Sequence, residues 1–289
     1  AAAEHGELHF AKRAGTLSRQ ELAVESYLRH SDIFATARGR VRANSPQRYL
    51  EYFPRTPVAL DTRQLRSGLP KLEAAIRHYF ASRTGSDYGR VLPSLGRHDH
   101  DLLICHAGAP CKSRMIGLSG RLEVAQGRPE VRDVVLIDRH TGRLALCAQS
   151  PADQDFYREI AGEVFFGDGS YYARGAVYSG SPLFECGASA LRTDDVAGLL
   201  RVEVAEVRLR QRNTATHRAW LHPGWALFAS AEWQRAKAHS DVTYVRFAFH
   251  ISDSRYPVEV ELLPPNGIVF DRRFVAHHAY TFLPRRGFM

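Results

Sequence analysis

The stretch Val258–Phe270, VEVELLPPNGIVF, decides how the second half of the chain folds. It opens as a strand. Val258, Val260 and Leu262 point to one face, while Glu259 and Glu261 point to the other. Pro264, Pro265 and Gly267 then force a turn, because a proline cannot donate to a sheet ladder. Two carboxylates side by side on one face repel each other. The plain reading is a strand with one wet face. The sharper reading is a carboxylate pair held at a strand end for acid–base chemistry.

Strand patterns surround this stretch. Candidates are Tyr171–Tyr178, Leu200–Leu209, Val242–Ile251, Pro257–Leu263 and Phe274–Phe282. Between two of them SAEWQRAKAH reads as a short helix capped by Ser230. Upstream, SPADQDFYREIAGEVFF is a capped helix. VRDVVLIDRHTGRLALCAQ is a β-hairpin with arms Val134–Ile137 and Arg143–Cys147, and Gly142 supplies a positive φ in its turn. LPKLEAAIRHYFASRTG places Leu69, Leu72, Ile76, Tyr79 and Phe80 on one helical face and stops at Gly85. Ser45 followed by Pro46 predicts a helix start in NSPQRYLEYF, and Ser18–Arg29 is a further helix. Gly96–Arg114 reads as loop around a short apolar run. The fold class is α+β, with a helical N-terminal part (1–150) carrying a β-hairpin and a strand-rich C-terminal part (151–289).

The chain has 289 residues, enough for one large domain or two ordinary ones. Lys and Arg outnumber Asp and Glu, 39 − 31 = +8. That balance suits an acidic partner, a phosphate-bearing ligand or nucleic acid, but an arginine-rich coding bias produces it too. The basic residues are scattered, with no dense run interleaved with aromatics. Four cysteines with no Cys-x-x-Cys pair make no disulfide framework. No run approaches ~18 apolar residues, so no membrane span is expected. The first residues show no apolar signal-peptide core. The oligomeric state is not encoded in any of this.

Read in order, Arg174-Gly175 on an aromatic segment, Phe228-Ala-Ser230 entering a helix, the strand VTYVRFAFHI and Glu259-x-Glu261 before Leu-Leu-Pro-Pro resemble mono-ADP-ribosyltransferase toxins and effectors of the Arg-Ser-Glu class. The resemblance covers roughly residues 165–289. It implies a split β-sandwich and NAD as substrate. Arg174 and Gly175 would hold the NAD phosphates and nicotinamide amide, and Phe228 or Trp225 would pack on the nicotinamide ring. Glu261 would stabilise the oxocarbenium-like charge, Ser230 would position Glu261, and Glu259 would act as general base toward the acceptor. Arg208 and Arg210 in VRLRQRN are alternatives for the phosphate arginine. The resemblance implies a macromolecular acceptor, an arginine side chain on a protein in the first place, with a hydroxyl or nucleic acid left open. It also implies an effector delivered by a specialised secretion system, with residues 1–150 serving targeting, regulation or substrate recognition. The family's Ser-Thr-Ser is here Ser230-Ala231-Glu232.

Two rivals stand beside this reading. One is a non-catalytic binding module with a basic face for an acidic partner. The other is a nucleic-acid-binding component of a bacterial defence system. Geometry separates them from the enzyme, in which Arg174, Ser230 and Glu261 share one cleft. His98, His100, Cys105, His106 and Cys111 are metal-capable but lack a recognised metal-site spacing, so no metal is expected. His277 and His278, on opposite faces of the expected strand, read as core or surface histidines and not as catalytic ones. No Gly-x-Ser-x-Gly elbow, Walker loop or Rossmann glycine pattern occurs.

Overall fold

The computed structural model describes residues 47–95, 99–116, 122–173, 175–212, 216–221 and 226–289. The expected helix Ser18–Arg29 lies outside these residues. The strands are β1 (Gln47–Tyr52), β2 (Gly89–Leu95), β3 (Asp99–Ala107), β4 (Cys111–Ile116), β5 (Leu122–Gly127), β6 (Glu130–Asp138) and β7 (Leu144–Cys147), then β8 (Leu199–Gln211), β9 (His217–Leu221), β10 (Ser240–Ile251), β11 (Val258–Leu263) and β12 (Gly267–Phe270). The helices are α1 (Thr62–Thr84), α2 (Pro151–Phe166), α3 (Ser181–Glu185), α4 (Ala226–Ala229), α5 (Ala231–His239) and α6 (Arg272–Arg285). Ten strands form one sheet in the order β2-β3-β6-β7-β1-β12-β11-β10-β8-β9, and β4 pairs with β5 apart from it. Every pairing among the described residues is antiparallel. The fold is α+β.

Helices cover opposite faces at the two ends of this sheet. On one face α1 and α2 bury Leu102, Ile104, Val135, Leu144 and Leu146 under Leu72, Ile76, Phe80 and Tyr157. On the other, α5 and α6 bury Val260, Leu262, Phe247, Phe249 and Val202 with Trp233, Phe282 and Phe288. β1 sits between the halves and serves both cores, Tyr49 to one side and Tyr52 to the other. Residues before and after 150 therefore share one sheet, and the N-terminal part is no helical region with a lone hairpin. It supplies five of the ten strands.

Several expected elements hold. α1 ends at Gly85, whose φ is 69°, and α2 starts at Ser150, whose hydroxyl accepts from the Asp153 N–H. The hairpin β6–β7 pairs Val134 with Cys147 and Ile137 with Leu144, with Gly142 at φ 71°. β8, β10, β11 and α5 fall where the sequence placed them.

Four expectations are corrected. Of NSPQRYLEYF, residues 44–46 lie outside the described residues, and residues 47–52 form not a helix but β1, paired on both sides with β12 and β7. Of the segment 96–114, the described residues 99–114 are not mainly loop. Leu102–Ala107 is buried on both sheet faces, so its apolar run does not alternate. Of Tyr171–Tyr178, the described residues 171–173 and 175–178 form a connector with one bridge among them, Pro54 to Tyr172. Phe274–Phe282 lies in helix α6, where Val275, Ala279, Phe282 and Leu283 are fully buried at helical spacing.

The Pro-Pro turn between β11 and β12 is an anchor. Its Pro265 carbonyl accepts from the Val177 and Tyr178 N–H groups at 2.8 and 2.7 Å. Asn266 O accepts from the Glu51 N–H at 2.8 Å. The turn thus ties β1 and the 175–180 connector to the end of β11.

Candidate functional site

Glu259 and Glu261 lie on the face of β11 turned away from the α5–α6 core, where Val260 and Leu262 are fully buried. Register sets their neighbours. Arg246 on β10 stands opposite Glu261, Ala248 opposite Glu259, and on β8 Glu206 stands opposite Arg246. These side chains form one charged network. Arg208 Nε donates to Glu206 Oε1 at 2.6 Å. Arg246 reaches Glu206 with one terminal nitrogen and Glu259 with the other, both at 3.3 Å. The Glu206 carboxylate is almost entirely buried, which is tolerable only because two guanidinium groups flank it.

Tyr244 closes the network. Its ring lies under the Arg208 guanidinium, 4.4 Å from centroid to Cζ. Burial first, then the Glu261 and Glu206 carboxylates, push its phenol up to about 12, with its hydroxyl hydrogen-bonded to Glu261. Because the folded value exceeds the ordinary tyrosine value of 10.0, the folded state holds this proton longer than the unfolded chain does. Its contribution to stability is complete below pH 10 and is lost between pH 10 and 12. Tyr244→Phe is expected to shallow the fall in stability across that window, read from urea midpoints at stepped pH. An unchanged slope would overturn the assignment.

The other expected site residues fall elsewhere. Ser230 does not position Glu261. Its hydroxyl caps α5, accepting from the Trp233 N–H at 3.1 Å, and α5 packs through Trp233 on the covered side of the sheet. Phe228 belongs to the same side, edge-on to Trp233 at 5.7 Å. Gly175 sits in the connector, and a Cβ there would meet nothing within 4 Å. Arg174 and Trp225 lie outside the described residues. Arg210 is exposed near the end of β8, opposite Asp241. Arg208, by contrast, shares the face and the electrostatic field of Glu261. The structure therefore brings Arg208, Glu259 and Glu261 together and leaves Ser230 and Phe228 on the far side.

The histidine–cysteine cluster also divides. His106 Nε2 lies 3.0 Å from Asp133 Oδ2, and its ring stacks on Phe80 at 3.6 Å. His100 Nε2 lies 3.0 Å from Leu60 O, and burial lowers its basicity. Cys105 alternates to the opposite sheet face, and Cys111 is exposed on β4. His98 lies outside the described residues. His277 and His278 are neighbours on α6, and burial lowers the basicity of His278.

Sequence reasoning missed Glu206, Tyr244 and Arg246. Each alternates with buried residues on a strand recognised as such, but only cross-strand register shows that they meet. No helix of the described residues is long and apolar enough to cross a membrane. Compared with known proteins, the chain matches no family model and no curated sequence.

Proposed function

We propose that the chain is a non-catalytic recognition module, and that its working surface is the open charged face of β8, β10 and β11. One observation carries this reading: Ser230 and Glu261 lie on opposite sides of the sheet. Of the two carboxylates that catalysis would need, Glu259 is tied to Arg246 and Glu261 to the Tyr244 hydroxyl. Glu206 is held by Arg208 and Arg246. Arginines already paired with carboxylates have little charge left for a nucleic-acid backbone. A rigid mosaic of both signs suits a protein surface carrying the complementary pattern.

A second reading has its own support. Mono-ADP-ribosyl transfer from NAD needs an arginine for phosphate and a glutamate for the ribosyl cation, and Arg208 shares the field of Glu261. On that reading the C-terminal half would be a variant of the split β-sandwich with Arg208 in the phosphate role. Its acceptor would be a protein side chain, and the chain would be a delivered effector.

Nicotinamide release from NAD, with a cell lysate present, separates the two. No release by wild type is expected. Release that disappears in Glu261→Gln would replace the recognition reading with the transferase. In a lysate pull-down, retention of one protein partner is expected to be lost in Arg246→Glu and kept in Ser230→Ala. Equal retention by the Arg246 variant, shown folded by circular dichroism, would sink the assigned surface.

A further inference from the structure

A cleft of ≈ 560 Å³ opens between α2 and the loop that follows it. That size is ordinary for a small-ligand site, roughly 300–1,000 Å³. It lies at the end of the sheet covered by α1 and α2, not at the end that carries β8, β10 and β11. Its lining divides by charge. On the α2 side stand Glu159 and Glu163, one helical turn apart on the same face. On the other side stand Arg55, Ser170 and Tyr172.

The arrangement is held firmly. Arg55 follows β1, and its N–H bonds to Tyr171 O at 3.0 Å. Arg158 is 3% exposed and also lines the cleft. It donates to Tyr172 O at 3.1 Å and to Glu159 at 2.8 Å, while its Nε has no hydrogen-bond partner. Gly162 sets the spacing between α2 and the loop, since a Cβ there would fall 2.5 Å from Asp168 O.

Glu163 is exposed, and its carboxylate makes no hydrogen bond or ion pair to any described residue. A simple anion would meet two glutamates here. A simple diamine would leave Arg55 with the field of the exposed Asp168 carboxylate alone. A ligand carrying a carboxylate and ammonium groups answers both sides at once. We propose that this cleft binds a free dibasic α-amino acid, with its carboxylate on Arg55 and its ammonium groups on Glu163 and Glu159. The rim charges are exposed, so each pair adds little and the affinity is modest.

The test is calorimetric titration of the full chain with L-lysine, cadaverine and N-acetylglycine. Saturable heat from L-lysine alone is expected. Cadaverine keeps the two cations without the carboxylate, and N-acetylglycine keeps the carboxylate without a cation. Glu163→Gln and Arg55→Met are each expected to weaken L-lysine about two- to fivefold, the scale of one exposed ion pair. Glu259→Gln leaves it unchanged. Glu163 holds nothing in the fold, so its variant reads the site even if the Arg55 variant is unstable. Silence with L-lysine, or cadaverine binding as well as L-lysine, would overturn the proposal. Neither result bears on the surface assigned to recognition.

Discussion

Glu51→Leu is expected to cost about 3–5 kcal/mol of folding stability, the loss typical of removing one partner from a buried charged network. Glu51 lies on β1 in the middle of the sheet and is 0% exposed. Its carboxylate accepts the hydroxyls of Tyr178 and Tyr280. Arg143, also buried, stacks over the Tyr280 ring at 3.5 Å. The three acceptor–donor segments are far apart in sequence: β1, the 175–180 connector and α6. Leucine would strand two phenolic hydroxyls in the core and leave Arg143 beside them without that negative charge. Burying an unmatched donor costs its full desolvation.

The conservative variants grade the effect. Glu51→Gln keeps shape and some acceptor capacity and is expected to cost about 1–3 kcal/mol. Tyr178→Phe and Tyr280→Phe should each cost about as much, and pairing either with Glu51→Gln should fall short of additivity, because the residues share one network. Urea denaturation followed by near-ultraviolet circular dichroism measures the four single variants and the two doubles. A loss below about 1 kcal/mol in Glu51→Leu would show that the carboxylate is not what joins these segments.

Sequence reading succeeded where the signal was local. α1, α2 and α5 carry caps and helical spacing, and the β6–β7 hairpin carries its glycine turn. β8, β10 and β11 each have one buried and one wet face, so their alternation is visible. β1 and β3 escaped because they are buried on both faces and show no period of two. Helix α6 escaped because its Val, Tyr and Phe residues favour strands in isolation, while its burial follows helical spacing. The wet face of Glu259 and Glu261 was legible from VEVEL alone. Their ties to Arg246, Arg208 and Tyr244 were not, since contact across strands depends on register. The motif pairs Ser230 with Glu261, whereas its hydroxyl caps α5. A serine before a short helix serves as a cap whatever lies on the other side of the sheet.

Trp233→Ala is expected to cost about 3–5 kcal/mol, as large-to-small changes of buried aromatics do. Trp233 is 1% exposed. Its ring meets Phe184 at 4.9 Å, Phe228 at 5.7 Å and Trp220 at 6.0 Å, joining α3, α4 and β9 to α5. Ser230→Ala should cost far less, about 1 kcal/mol, because it removes one cap from the same helix. The pair of values decides what this helix does. A serine placed to orient Glu261 would lower activity when removed and leave stability nearly unchanged. A serine that starts the helix carrying Trp233 would lower stability and leave the charged face intact. Thermal denaturation of both variants, with partner retention measured alongside, separates these outcomes. Undiminished stability in Ser230→Ala would return the serine to the candidate site and would require α5 to reach the opposite face of the sheet.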